Sequence, residues 1–251
     1  MTHTCEQQFK LQDLNVHVFP SLSPHAPVVY LHGLDGYSRN VLPLLEKEDL
    51  PDFSLVTVTV PYDRWSVILA PWSTPAGWPQ YVACQKGAPD YLPVFLQEIV
   101  PEAERRLREP GPRILAGYSL AGLFALWVMC RTPDFSRVAA ASPSLWFPGF
   151  QNWFLQQSVP ALPESIFLSC SEEEYNTDNE YLAPEKPALE AVERWCREHA
   201  IQAVFQLDPG NHYQDVLQRT ATAIAWVLMH PAANRSAARK LPEISGSRLP
   251  A

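Results

Sequence analysis

Short apolar runs alternate with longer, helix-like segments along most of the chain, and this alternation constrains the fold more than any other feature. The runs predicted as strands cover residues 28–31, 55–60, 113–118, 138–141, 166–168 and 202–206. Helical periodicity falls near residues 39–47, 91–108, 120–131, 186–200 and 213–230. This order predicts an α/β fold, in which a mostly parallel central sheet carries helices on both faces. The unbroken apolar character of the runs supports strands that are buried on both faces.

Two segments depart from this alternation. Residues 61–90 form a long connection with five prolines and three tryptophans, Trp65, Trp72 and Trp78. Such connections often act as lids or pocket walls, so we expect the tryptophans to line a substrate pocket. A loop packed on the surface by its own aromatic rings is the alternative. The end of the chain lacks periodicity, which predicts a single domain of residues 1–230 followed by a disordered tail, residues 231–251.

The positions of the glycines exclude the common nucleotide-binding loops. No three of the 10 glycines are spaced as G-x-G-x-x-G, so the dinucleotide fingerprint is absent. Gly117 and Gly122 have the outer spacing of a phosphate loop, but Leu123 stands where that loop needs lysine. The cysteines and histidines are not clustered as zinc ligands are. We therefore expect no cofactor and no metal.

Charge and cysteine content favour a cytoplasmic protein that binds neither nucleic acid nor membrane. The formal net charge of −8 repels phosphate backbones. The five cysteines are widely spaced and odd in number, which suits a reducing compartment. The first ten residues lack the apolar core of a signal peptide, and no apolar run is long enough to span a membrane. The oligomeric state is not indicated by any of these features.

A serine in the middle of the chain has the setting of an activated nucleophile. Ser119 lies in the segment GYSLAG, between a predicted strand and a predicted helix. A sharp turn at this place brings strand and helix into close contact, so small residues are needed on both sides of the nucleophile. Gly117, Ala121 and Gly122 meet this need. The alternative is a serine that caps an ordinary turn.

The best candidate for the base is His212. A serine hydroxyl needs a base because it is barely ionised at neutral pH. His212 lies in the tight loop PGNHY between the last predicted strand and the last helix, where a doubly wound sheet places its ligands. His199 lies in a polar helix, and His230 ends the last helix, where a cation suits the helix dipole.

An acid that orients His212 should follow a strand between Ser119 and His212. Glu172, Glu173 and Glu174 come directly after the strand at 166–168. A carboxylate there can accept the Nδ1 proton of the histidine and stabilise the imidazolium. Chemistry alone does not choose among the three, and Asp178 and Asp208 are more remote candidates.

Two backbone N–H groups are expected to form an oxyanion hole. One belongs to Leu120, which follows the nucleophile, and the other to the loop LHGLDG after the first predicted strand. Leu34 is the preferred donor in that loop and Asp35 the second choice. His32 in the same loop either shapes the hole or serves as a structural hydrogen-bonding residue.

Several segments resemble one esterase family of the α/β-hydrolases, which includes siderophore (enterochelin-type) esterases, S-formylglutathione hydrolases, feruloyl esterases and mycolyltransferases. The segments are AGYSLAGLFAL at 116–126, SPSLWF at 142–147, DYL with EIVP within 90–101, and GNH at 210–212. The resemblance covers roughly residues 27–230 and implies an α/β-hydrolase fold with serine esterase activity. The S-L-G-x-x-E loop of the family matches residues 169–174, which makes Glu174 the acid, although Ser171 replaces the glycine.

Together these features predict a serine esterase. Ser119 would form an acyl-enzyme with a small-molecule ester, with His212 as general base and Glu174 as orienting acid. Trp146, from the SPSLWF segment, would join the tryptophans of residues 61–90 in the pocket. An acyltransferase or thioesterase with the same three residues is one alternative. A catalytically inactive hydrolase fold that only binds a ligand is another.

Overall fold

Eight strands form one sheet in the computed structural model, which describes residues 3, 5–36, 38–76 and 83–231. They are β1 (Gln7–Leu11), β2 (Leu14–Phe19), β3 (Val28–Gly33), β4 (Ser54–Thr59), β5 (Arg113–Tyr118), β6 (Arg137–Ala141), β7 (Ser165–Ser171) and β8 (Gln202–Asp208). Their order across the sheet is β1-β2-β4-β3-β5-β6-β7-β8. The pairs β1–β2 and β2–β4 are antiparallel, and every other pair is parallel. The predicted α/β-hydrolase fold with a mostly parallel sheet is confirmed.

The helices connect the strands and cover the sheet. They are α1 (Leu42–Leu45), α2 (Tyr62–Ile68), α3 (Ala88–Val94), α4 (Val100–Glu104), α5 (Leu120–Met129), α6 (Phe150–Leu155), α7 (Glu172–Tyr175), α8 (Glu185–Glu198) and α9 (Val216–Met229). A 3₁₀ turn, Ser38–Val41, precedes α1, and a π-helical turn, Phe95–Ile99, joins α3 to α4.

Two hydrophobic cores lie on opposite faces of the sheet. Along β3, Val28 and Tyr30 belong to one core, whereas Val29 and Leu31 belong to the other. This alternation follows from the two-residue period of a strand. The first core includes residues of α3, α5 and α8, and the second includes residues of α1 and α9. Helices therefore cover both faces of the sheet, as the sequence predicts.

The N-terminal hairpin β1–β2 and the short helices α2, α6 and α7 are not predicted from the sequence. β1 reads QQFKL and is largely exposed, so it lacks the apolar run that marks the buried strands. The helix α2 lies inside the connection 61–90, which is therefore partly helical rather than one long loop. Residues 77–82, which include Trp78, and residues 232–251 of the predicted tail lie outside the described residues.

The four buried cysteines are not suited to act as nucleophiles. None of the five forms a disulfide bond, and all except Cys5 are buried. Burial raises the pKa of Cys84 to about 11 and that of Cys130 to about 12, so these thiols stay protonated at neutral pH. Within the described residues, no helix is both long enough and apolar enough to cross a membrane.

The candidate site lies at the edge of the sheet where the parallel strands end. Leu34 follows β3, and Ser119 follows β5. The helix α7 follows β7, and the loop that carries His212 follows β8. Because the carboxyl ends of parallel strands meet at one edge, residues that are distant in the sequence converge there.

Candidate active site

Ser119 sits on a sharp turn between β5 and α5. Its backbone has φ 58° and ψ −124°, a conformation that residues other than glycine rarely adopt. A Cβ atom at Gly117 would lie 2.3 Å from the backbone carbon of Ala121, so only glycine fits at this position. At Gly122 a Cβ atom would lie 3.1 Å from both the Gly117 carbonyl oxygen and Pro143. The small residues thus let strand and helix approach each other, while the serine is held at the apex of the turn.

Ser119, His212 and Glu174 form a chain of hydrogen bonds. The Nε2 atom of His212 lies 3.0 Å from the Ser119 hydroxyl, and its Nδ1 atom lies 2.9 Å from Oε2 of Glu174. In the tautomer whose Nδ1–H donates to Glu174, Nε2 accepts a hydrogen bond from Ser119. This geometry allows the imidazole to take the serine proton while the carboxylate stabilises the resulting cation.

The structure distinguishes Glu174 from the two glutamates before it. Ser171 and Glu174 form a capping box at the start of α7, which turns the Glu174 carboxylate back toward the end of β7. Its Oε1 atom accepts hydrogen bonds from the Ser171 backbone N–H at 2.9 Å and from the Ser142 hydroxyl at 3.0 Å. Glu172 and Glu173, by contrast, are exposed.

The surroundings of Glu174 favour its ionised form. Burial alone would raise the pKa of this carboxyl, but the hydrogen bond and charge of His212, together with the hydrogen bonds from Ser171, outweigh burial. The pKa of Glu174 therefore lies below its ordinary value. An ionised carboxylate is the form that can accept the Nδ1 proton of His212.

Sequence reasoning missed Arg219, a buried cation in α9 that holds this part of the site together. Its Nη2 atom donates to the carbonyl oxygens of Pro209 (2.9 Å) and Asn211 (3.0 Å), which precede His212 in the same loop. Its Nη1 atom donates to the hydroxyls of Tyr118 and Ser171 and lies 3.6 Å from Oε1 of Glu174. A lone arginine within the otherwise uncharged segment VLQRTATAIAWVLM is the signal that could have revealed it.

Other contacts further order the His212 loop. The Tyr118 hydroxyl donates to the His212 carbonyl oxygen at 2.8 Å. Gly210 has φ 80°, which favours glycine, and its carbonyl oxygen accepts the backbone N–H of Glu173 at 3.1 Å. The loops after β7 and β8 are thereby tied to each other. Asp208, one of the remoter acid candidates, lies 3.8 Å from Nε of Arg219 and is not hydrogen-bonded to His212.

The loop of residues 142–146 approaches Ser119 from the other side. The Ser144 hydroxyl oxygen lies 3.2 Å from the Ser119 hydroxyl oxygen, and the Ser144 backbone N–H donates to the Ser119 carbonyl oxygen at 3.1 Å. Behind this loop lies Glu185, a second carboxylate that sequence reasoning missed. It is 1% exposed and accepts the backbone N–H groups of Leu145 (3.2 Å) and Trp146 (2.7 Å).

Glu185 differs from Glu174 in its ionisation. Burial raises the pKa of Glu185 well above its ordinary value, and the nearby charge of Glu174 raises it further. The two backbone hydrogen bonds act in the opposite direction but do not overcome this effect. The first helical residue of α8 therefore places a carboxyl group with a raised pKa beside the cavity.

A cavity of about 690 Å³ opens above Ser119. Leu34 and Leu120, the predicted oxyanion donors, both line it, as do Trp65 and Trp146. The pocket prediction for Trp72 is not supported. Its indole N–H donates to the Pro148 carbonyl oxygen at 2.9 Å, and its ring packs against Phe147, Phe150 and Trp153 rather than lining the cavity. Trp78 lies outside the described residues.

His32 has a structural role rather than a place in the cavity. It is 1% exposed near the end of β3, and its Nε2 atom shares a 2.8 Å hydrogen bond with the Tyr91 hydroxyl. Its ring packs edge-on against Phe95 and Phe124. Burial lowers the pKa of His32 to about 3, so the ring is neutral. Asp35, the second choice for the oxyanion hole, accepts the backbone N–H of Gly36 with its side chain at 2.9 Å.

Comparison with protein families and solved structures agrees with this geometry. The family model described as "Putative esterase" matches residues 11–245. The chain therefore belongs to this esterase family, and the protein is a carboxylic ester hydrolase. A search of curated proteins found no match.

Solved structures with the same fold include several ester hydrolases. The siderophore hydrolase EstA from Aspergillus nidulans is 18% identical, with a TM-score of 0.66 over 90% of this chain and 94% of that chain. An IroE-like serine hydrolase from Shewanella oneidensis is 20% identical, with a TM-score of 0.70 over 89% of this chain and 80% of that chain. The enterobactin esterase FES from Shigella flexneri is 16% identical, with a TM-score of 0.66 over 90% of this chain and 58% of that chain. At these identities the likeness shows the fold.

Proposed function

We propose that the protein is a serine esterase that works through an acyl-enzyme on Ser119, with His212 as general base and Glu174 as orienting acid. The observation that carries this proposal is the hydrogen-bonded series from Glu174 through His212 to Ser119, with distances of 2.9 and 3.0 Å. The series opens onto a cavity large enough for a small organic ester. Membership of an esterase family supports the same reaction.

The reaction begins when His212 removes the hydroxyl proton of Ser119. The serine oxygen forms a bond to the ester carbonyl carbon, and the carbonyl oxygen becomes an oxyanion. The Leu120 and Leu34 backbone N–H groups, whose residues line the cavity, are the proposed donors to that oxyanion. When the intermediate collapses, the bond to the alcohol breaks and His212 returns the proton to the leaving oxygen. Water then hydrolyses the acyl-enzyme by the same steps.

The surroundings of the three residues support their proposed roles. Glu174 is ionised and hydrogen-bonded on its Oε1 atom by Ser142 and Ser171, so its Oε2 atom is held toward His212. Arg219 binds the carbonyl oxygens of Pro209 and Asn211, which directly precede His212 in its loop. Preorganised groups of this kind need little rearrangement when charge develops on the imidazole. The similarity to siderophore hydrolases and an enterobactin esterase supports a small-molecule ester as substrate.

The test is the activity of Ser119→Ala and His212→Ala toward p-nitrophenyl esters of graded acyl length. Each substitution is expected to lower kcat/KM by about 10⁴-fold or more, because the nucleophile and its base act as one unit. Ser158→Ala and His199→Ala are matched controls, since both side chains are exposed and neither lines the cavity. Both controls should retain full activity.

A fluorophosphonate probe adds a second readout that does not depend on the choice of ester. It should label the wild type at Ser119 and leave Ser119→Ala unlabelled. Turnover that survives in either Ser119→Ala or His212→Ala would contradict the proposed mechanism. Product analysis in the presence of alcohols and thiols separates hydrolysis from acyl transfer.

A further inference from the structure

Carboxyl groups, but no lysine or arginine, occur among the described residues that line the cavity. The carboxyl groups belong to Glu173, Glu174 and Glu185. Arg219 is 5% exposed, and its guanidinium already contacts the carbonyl and hydroxyl groups behind Ser119. A negatively charged group in the cavity would therefore lack a counter-ion among the described lining residues.

Neither Glu173 at the surface nor Glu185 in the interior offers an anion a positively charged partner. Glu173 is exposed and contributes negative charge beside the triad, one residue before Glu174. Glu185 is buried, and its two oxygens accept backbone N–H groups rather than a basic side chain. An anion that enters such surroundings loses part of its hydration and gains no positively charged partner, which disfavours its binding.

Aromatic rings also line the cavity. Trp65 and Trp146 line its walls. Tyr62 is 84% exposed and Tyr213 is 86% exposed, and both also line the cavity. Exposed tyrosine rings at the mouth of a cavity can stack on flat or aliphatic groups while their hydroxyls stay in water. These surfaces favour a substrate that is apolar or aromatic and carries no negative charge.

We infer that the site selects uncharged alkyl or aryl esters and discriminates against esters with a carboxylate on the acyl group, and that Glu173 is a specificity-determining residue. This inference rests on the proposed esterase function. It names the substrate class of the same cavity and follows from the carboxylates and aromatic rings that line it.

Three p-nitrophenyl esters of similar length test the inference. They are the hexanoate, the mono-adipate, which replaces the terminal methyl group by a carboxylate, and the methyl ester of that adipate, which restores neutrality and keeps the polar atoms. At low ionic strength, kcat/KM for the mono-adipate should be at least about tenfold below that for both neutral esters. The rate seen with Ser119→Ala is subtracted, because a carboxylate can assist ester cleavage without the enzyme.

The outcomes separate this inference from the proposed function. If no ester is hydrolysed and the fluorophosphonate does not label Ser119, the esterase proposal fails. If the neutral esters are hydrolysed and the mono-adipate is hydrolysed equally well, the esterase proposal stands and the charge selectivity is wrong. A slow reaction with both adipates would also overturn the inference, because polarity or size rather than charge would then set the preference.

Adjacent glutamates on α7 supply a matched pair of variants. Glu173→Gln should lower the ratio of kcat/KM for methyl adipate to that for mono-adipate by about two- to fivefold. Glu172→Gln removes the same charge from a residue that is exposed but does not line the cavity, so the ratio should change less. Raising the salt concentration to about 0.5 M should shrink the difference between the variants. An unchanged ratio in Glu173→Gln, or equal changes in both, would contradict the role of Glu173.

Discussion

The two sides of Ser119 each contain a buried glutamate, and the two glutamates are ionised differently. On one side, Glu174 is hydrogen-bonded to His212 and lies 3.6 Å from the Arg219 guanidinium. On the other side, Glu185 is bound by the backbone N–H groups of Leu145 and Trp146. The pKa of Glu174 is lowered, whereas that of Glu185 is raised. Burial opposes ionisation at both positions, so the difference comes from the deeper burial of Glu185 together with the partners of each carboxyl group.

Glutamate thus performs two different tasks in this site. A carboxylate beside charged partners is stabilised as an anion and can accept a proton in a hydrogen bond. A carboxyl group held by backbone dipoles alone serves to position the loop that supplies them. Glu174 therefore acts on His212, whereas Glu185 acts on the loop of residues 142–146, which carries Ser144 to Ser119.

The largest effect is expected from a substitution of Glu174. Glu174→Gln should lower kcat/KM by about 10³- to 10⁴-fold, because an amide can present its N–H₂ group to Nδ1 and select the tautomer whose Nε2 cannot accept the serine proton. Steady-state kinetics with p-nitrophenyl esters measure this loss. The control is Glu172→Gln, which removes an exposed carboxylate from the same short helix. A loss below about tenfold would mean that Ser119 and His212 work without an acid.

A smaller effect, on stability rather than on catalysis, is expected from a substitution of Glu185. Glu185→Ala leaves the buried N–H groups of Leu145 and Trp146 without their acceptor, so the free energy of unfolding should fall by about 2–5 kcal/mol. Urea denaturation measures this loss, with Glu198→Gln as a control at the exposed end of the same helix. A loss within error of the control would show that the loop does not depend on Glu185.

The pH dependence of stability distinguishes Glu185 from Glu174 without disrupting either loop. A raised pKa in the folded state means that folding stability is lost as pH rises from the ordinary carboxyl pKa through the folded pKa. Glu185→Gln cannot ionise, so it should gain stability relative to wild type as pH rises above the ordinary carboxyl pKa. For Glu174 the sign is reversed. The lowered pKa stabilises the wild type above the ordinary value, and this advantage over Glu174→Gln is lost as pH falls. If the stability of both variants relative to wild type changed in the same direction with pH, the contrast between Glu174 and Glu185 would be wrong.

The smallest effect is expected from two hydroxyls that connect the loop of residues 142–146 to Ser119 and Glu174. Ser144→Ala removes the 3.2 Å contact with Ser119, and Ser142→Ala removes the 3.0 Å hydrogen bond to Glu174. Each loss should lower kcat/KM by about two- to tenfold, the range that a typical net hydrogen-bond contribution of about 0.5–1.5 kcal/mol gives. Ser158→Ala serves as the control in the same assay. No change in Ser144→Ala would mean that this loop affects the reaction only through its backbone.

Local sequence carries much of the information about Ser119 and His212. The strand, the sharp turn and the helix around Ser119 are adjacent in the chain, so their pattern is visible without the fold. The parallel strands are equally visible as apolar runs, although their ends shift by up to three residues, as for β7. The N-terminal hairpin is missed because β1 is polar and lies at the edge of the sheet.

Contacts between distant segments explain what the sequence leaves open. Three consecutive glutamates look alike in chemistry, and it is the capping box with Ser171 that directs Glu174 toward His212. Arg219 and Glu185 were not predicted as site residues, because the sequence pattern of a helix does not reveal which loop a buried charged residue of that helix will contact. Trp72 was expected in the pocket because of its aromatic neighbours in the chain, but it packs on Phe147, Phe150 and Trp153 from a later segment.

The sequence by itself determined the α/β class, the nucleophile turn and the histidine loop, because each depends on residues within a few positions of one another. The tertiary structure alone decided which carboxylate meets His212, which residues line the cavity and which sign of charge surrounds it. Those properties arise where strand ends from separate parts of the chain converge. The ionisation of a buried carboxyl depends on the partners that this convergence brings within a few ångströms.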